Sequence, residues 1–112
     1  MAKYHAACAT DSLGDMVDPG TRRPFLVTAF AAGRGRVQGT DLYACGSNFA
    51  RSVVHAGVLA DGATGIVEVA ATPERQRGGF LGSPRHGVSS ENYTRSAYAC
   101  AIRLLECISD AQ

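Results

Sequence analysis

The stretch Ser47–Leu59 reads SNFARSVVHAGVL, and its periodicity decides how the rest of the chain is organised. Ser47 is a suitable N-cap, because its hydroxyl accepts from an otherwise unpaired first-turn amide. On a helical wheel Phe49, Ala50, Val53, Val54 and Ala56 share one arc, while Asn48, Arg51, Ser52 and His55 share the other. Gly57 suits the left-handed position after the last helical residue, with Val58 packing back on Val53. The spacing predicts a helix over about 47–57, with one apolar face and one polar face that carries His55.

Extended segments lie on both sides of this helix. FLVTAFA (Phe25–Ala31) is rich in β-branched and aromatic residues and follows the turn cluster DPGTRRP. VQGTDLYA (Val37–Ala44) is a short extended piece broken by Gly39. GIVEVAA (Gly65–Ala71) alternates as a strand does. FLGSPRHGVSSENY (Phe80–Tyr93) reads as mostly irregular surface chain. The last segment stays open. Tyr98, Cys100, Ile102 and Leu104 alternate like a strand, yet Tyr98, Ala101, Ile102, Leu105 and Ile108 fit a helical stripe.

The whole chain has 112 residues, which suits one domain with a modest core. Its net charge of +1 gives no global field for nucleic acid or an acidic membrane. No apolar run reaches the roughly 18–20 residues that cross a bilayer. The opening MAKYHAACATDSLGD lacks the apolar core of a secretory signal, so the expectation is a chain kept in the cytoplasm or in a particle assembled there. Cys8, Cys45, Cys100 and Cys107 match no zinc spacing and are expected to stay reduced. No metal or cofactor is implied.

Chemistry is sparse. There is neither a GxSxG nor an HExxH motif, and Asp41, Asp61 and Glu68 are isolated carboxylates, so no catalytic constellation is legible. His55 is read as structural, a buried imidazole bonded to backbone groups. Arg34, Arg36, Arg75, Arg77 and Arg85 read as solvated loop cations. In GSPRHGVSSENY, Arg85 can fork onto a carboxylate, phosphate or sugar acid, His86 adds a donor, and Ser83, Ser89 and Ser90 offer hydroxyls. Cys45, just before the helix, is a minor candidate for a reactive thiol.

Four segments in order, GTDLY (Gly39–Tyr43), SNFARSVVHAGVL, GIVEV (Gly65–Val69) and FLGSPRHGVSSENY, resemble the LCCL domain family. The family shows GT-x-x-Y, AA-x-HAGV, a following strand and Y-x-GS-x-x-NG(I/V)-x-S at matching spacing. The resemblance implies an α+β domain over residues 1–112, its core about 11–104, with one central helix wrapped by antiparallel strands. It favours a strand over Ser96–Leu104 and gives His55, Gly57, Gly39 and Tyr43 structural roles. The family's four bridging cysteines are not reproduced: its C-P-x-x-C region falls on TAFAAGRG and its helix cysteine on Ala50. The family bridges cannot form as such, which points to a reducing compartment or to another stabilising device.

The resemblance also implies a non-enzymatic binding module for a carbohydrate, lipopolysaccharide or protein ligand. Arg51, Ser83, Arg85 and His86 are the expected ligand-binding residues, although His86 stands where the family has asparagine. The alternative is a structural subunit that self-associates through the apolar C-terminal segment AIRLLECI. A cysteine-dependent enzyme acting through Cys45 is the third reading.

Overall fold

The structure is a computed structural model that describes residues 5–7, 11–14, 17–33, 35–72, 81–93 and 99–109. Arg34, Arg75 and Arg77 lie outside these residues, as do Cys8 and Tyr98. Among the described residues eight strands and one helix run in the order β1 (His5–Ala6), β2 (Arg22–Thr28), β3 (Gly39–Thr40), β4 (Leu42–Ala44), α1 (Phe49–His55), β5 (Thr64–Thr72), β6 (Pro84–Arg85), β7 (Val88–Ser89) and β8 (Ala99–Ser109). Six strands form one sheet in the order β1-β2-β5-β8-β4-β3, and β6 and β7 form a separate hairpin. Only β1 and β2 pair in parallel; every other strand pair is antiparallel.

The sheet is built on β5, which pairs with β2 on one side and β8 on the other. Alternation along β2 and β5 sends Phe25, Val27, Val67 and Val69 inward, all at most 2 % exposed. The open question over the C-terminal segment is settled as a strand. β8 keeps its pairing with β5 through two irregularities, between Thr64 and Gly65 and between Ile66 and Val67. These irregularities explain why simple alternation fades after Leu104 and a helical stripe fitted equally well.

The helix is shorter than its sequence suggests. It spans Phe49–His55, and Asn48 rather than Ser47 caps it, its side chain accepting the Arg51 amide at 2.9 Å. Ser47 Oγ instead accepts the Gln38 amide, tying the helix approach to the segment before β3. The C-terminal end is as expected: Gly57 has φ +76°, Val58 N–H donates to Val53 O and Gly57 N–H to Val54 O, both at 3.0 Å. These two bonds are a Schellman pair.

The polar arc of the wheel is not wet. Ser52 and His55 are fully buried, and Asn48 nearly so. The apolar arc packs on the sheet, where Phe49 meets Phe25 edge to face at 5.6 Å. The polar arc faces the hairpin: His55 and His86 each bond across to the other element.

The cysteine expectation is corrected. Cys45 and Cys100 form a disulfide, with Cα atoms 5.2 Å apart, beside the β4–β8 pairing of Tyr43 with Cys100. A thiol at Cys45 is therefore not available for catalysis, and the argument from missing bridges to a reducing compartment falls. Sequence spacing could not find this pair, because 55 residues separate its members and only the sheet register brings them together. Cys107 is exposed and lies outside this bridge. Among the described residues no helix is long and apolar enough to cross a membrane.

Candidate functional site

Tyr43, His55, Ser83, Arg85 and His86 converge where the helix ends, the β3–β4 turn approaches and the β6–β7 hairpin covers both. The turn at 39–42 is tight. Gly39 has φ +101°, and a Cβ there would lie 2.3 Å from Leu42 O and 2.7 Å from the Tyr93 ring. Its apex, Asp41, also takes a positive φ of 66°. This geometry fixes the positions of Thr40, Asp41 and Tyr43 relative to the helix.

The hairpin was read as irregular chain, and its signal was missed. His86 and Gly87 have φ values of +53° and +82° between paired Arg85 and Val88. Two consecutive positive φ values are the two-residue hairpin turn for which Asn-Gly is the strongest sequence signal. Histidine is among the few residue types that tolerate the first position. Arg85–Val88 was therefore legible as a turn once His86 was treated as an asparagine substitute.

A directed chain of hydrogen bonds joins the three elements. His55 Nε2 lies 2.8 Å from Ser83 O. A carbonyl only accepts, so Nε2 carries the proton, and Nδ1 accepts from the Tyr43 hydroxyl at 2.8 Å. Thr40 donates to Leu81 O at 3.0 Å, so the Ser83 hydroxyl donates to Thr40 Oγ1 at 2.7 Å. His86 adds a second tie between hairpin and helix, its Nδ1–H donating to His55 O at 3.2 Å. Arg85 closes the rim with an ion pair to Asp41 at 2.9 Å.

The electrostatics follow from this burial. Desolvation is the main influence on His55 and pushes its pKa below 6.5, with the Ser83 carbonyl opposing it more weakly. Desolvation also raises the Tyr43 phenol above 10.0, with the Asp41 backbone pulling the other way. Both groups are neutral at ordinary pH, as a buried hydrogen-bonded pair should be.

The histidine–serine juxtaposition is not a nucleophile with its base. Ser83 Oγ is 3.4 Å from His55 Nε2, which already donates to the Ser83 carbonyl, and the imidazole has no solvent access. His55 and Tyr43 lie at this junction, with Gly39 in the β3–β4 turn and Gly57 just past the helix C-terminus.

The four expected ligand residues divide. Ser83, Arg85 and His86 come together on the hairpin, with Arg85 half-buried and His86 exposed. Ser83 has both its hydroxyl and its carbonyl engaged in the chain above. Arg51 is elsewhere: its guanidinium donates from Nε to Ala31 O at 3.0 Å and from Nη1 to Gly35 O, pinning the 31–35 loop to the helix. Sequence reasoning missed Thr40 and Asp41 as partners of the hairpin, because a contact across about forty residues leaves no local periodicity. Among the described residues no group of three or more His, Cys, Asp and Glu side chains is arranged to hold a metal ion.

Comparison with known protein families gives a match over most of the chain. The model of the LCCL domain matches residues 7–99.

Proposed function

This chain belongs to the LCCL domain family, and from that premise we propose that it is a non-enzymatic binding module whose ligand face is the β6–β7 hairpin. The observation that carries this reading is the contrast between the two ends of the hairpin. Its base is locked to buried His55 and Tyr43, while its tip presents Arg85, His86, Gly87 and Ser89 to solvent. Binding residues held out on a rigid support lose little entropy when a ligand arrives. The ligand we favour is a carbohydrate bearing acidic groups, as in lipopolysaccharide. Arg85 is the recognition residue: its pair with Asp41, whose side chain is 67 % exposed, is weak enough to exchange for a phosphate or sugar acid.

The test is calorimetric titration with a phosphorylated core oligosaccharide of lipopolysaccharide. Arg85→Ala is expected to weaken binding about tenfold or more, the size of a lost charge-assisted hydrogen bond. Equal binding by the parent and the variant would remove Arg85 from the site.

A self-associating subunit is the second reading, favoured by one observation. β4 covers β8 only through Ala101; beyond it the strand is paired with β5 alone, and Leu104, Leu105 and Ile108 are 40–52 % exposed. An apolar strand margin of this kind is a site for pairing with another chain. Light scattering across a concentration series should then show a dimer or larger species that Leu105→Glu dissolves. A monomer at every concentration would end this reading.

A further inference from the structure

A recess lies where α1 gives way to the turn before β5, with His86 on its rim. It is an open cleft of about 300 Å3 lined by Val54, Gly57, Leu59, Ala60, Asp61 and His86. That size is at the lower end of small-molecule sites, roughly 300–1,000 Å3. Val54 and Leu59 are nearly buried and supply an apolar floor. Gly57 keeps the cleft open, since a Cβ there would come within 3.1 Å of the His86 ring.

The two polar side chains on the rim are both fixed, and both accept. Asp61 Oδ1 takes the Ala31 amide at 2.9 Å, which orients the carboxylate and leaves Oδ2 available. His86 Nδ1–H is spent on His55 O, so in the tautomer that carries this one proton Nε2 is an acceptor. Among the described residues no salt bridge neutralises Asp61. An apolar floor, a carboxylate with no salt-bridge partner among the described residues and a second acceptor call for a cationic donor with a hydrocarbon tail.

We propose that this cleft binds a small primary alkylamine in its protonated form. The ammonium donates to Asp61 and to His86 Nε2, and the alkyl chain lies on Val54 and Leu59. An ammonium fits better than an anion, which Asp61 repels, and better than a metal ion, for which two ligands are too few. His86 borders both this cleft and the hairpin tip, but the ligand here has the opposite charge, so the two titrations test the two readings separately.

The experiment is a titration of the 15N-labelled protein with n-hexylammonium chloride at constant ionic strength, with n-hexanol as the neutral counterpart. The expected result is saturable amide shifts at Gly57, Ala60, Asp61 and Gly87 with the amine and at least about tenfold weaker response to the alcohol. Asp61→Asn keeps an oxygen for the Ala31 amide and removes the charge, so it should weaken amine binding by a similar factor. His86→Asn, which suits the same turn position, should weaken it as well and carries the test if Asp61→Asn fails to fold. No saturable shift at these amides, or equal shifts with amine and alcohol, or full affinity in the variant that folds, would overturn the proposal.

Discussion

His55 sits at the junction of three elements, and its protonation state is part of the fold. Its Nε2–H donates to Ser83 O and its Nδ1 accepts from Tyr43, an arrangement only the neutral ring can make. Burial holds its folded pKa below the ordinary 6.5. The unfolded chain therefore takes up the proton first on acidification. The stabilisation is fully present above pH 6.5 and is lost as pH falls from there through the folded value. Tyr43 acts at the other end of the scale. Its folded pKa lies above 10.0, so its stabilisation is present below that pH and is lost as pH rises through the folded value. Urea denaturation across pH should show a plateau between these limits with a decline on each side. Replacing His55 with Gln should remove the acid-side decline that this group contributes; an unchanged acid limb would show that other residues cause it.

At the scale of the element, the helix carries one polar group that its surroundings do not satisfy. Ser52 is fully buried, and its Oγ has no hydrogen-bond partner among the described residues. A buried unsatisfied hydroxyl costs about 1–3 kcal/mol, and serine is also a poorer helix former than alanine. Ser52→Ala should therefore raise stability by about 1–2 kcal/mol, read from the denaturation midpoint. A loss of stability would mean that Oγ has a partner of its own. The same helix shows what its sequence could reveal. The Gly57 cap and the Val58–Val53 closure were legible because they depend on residues a few positions apart. The burial of Ser52 and His55 was not, because a wheel has no knowledge of a hairpin that folds over the second face. The hairpin itself left a local trace, His86-Gly87, hidden by a histidine in the place where asparagine is expected.

At the scale of the whole molecule, a mostly antiparallel sheet on one short helix agrees with the family match over residues 7–99. β2 was legible from its β-branched and aromatic residues and β5 from alternation, while the periodicity of β8 left strand and helix open, since two irregularities blur it, and only the family resemblance favoured a strand. The bridge between Cys45 and Cys100 was the largest departure from expectation. It closes a 55-residue separation. The chain-entropy account gives a bridge of this span about 4 kcal/mol, with measured bridges typically about 2–4. Reduction should lower the unfolding free energy by about 2–4 kcal/mol, while Cys107→Ser should leave it nearly unchanged. Equal stability of the reduced and oxidised protein would deny the bridge a structural role.

The hairpin is the part of the molecule on which the functional account rests. The most direct measurement is amide shift mapping during titration with the phosphorylated core oligosaccharide. The account predicts saturable shifts gathered at Arg85, His86, Gly87 and Ser89 and at Asp41, which must release Arg85. Shifts gathered instead along Leu104–Ile108, or no shifts at saturating oligosaccharide, would contradict it.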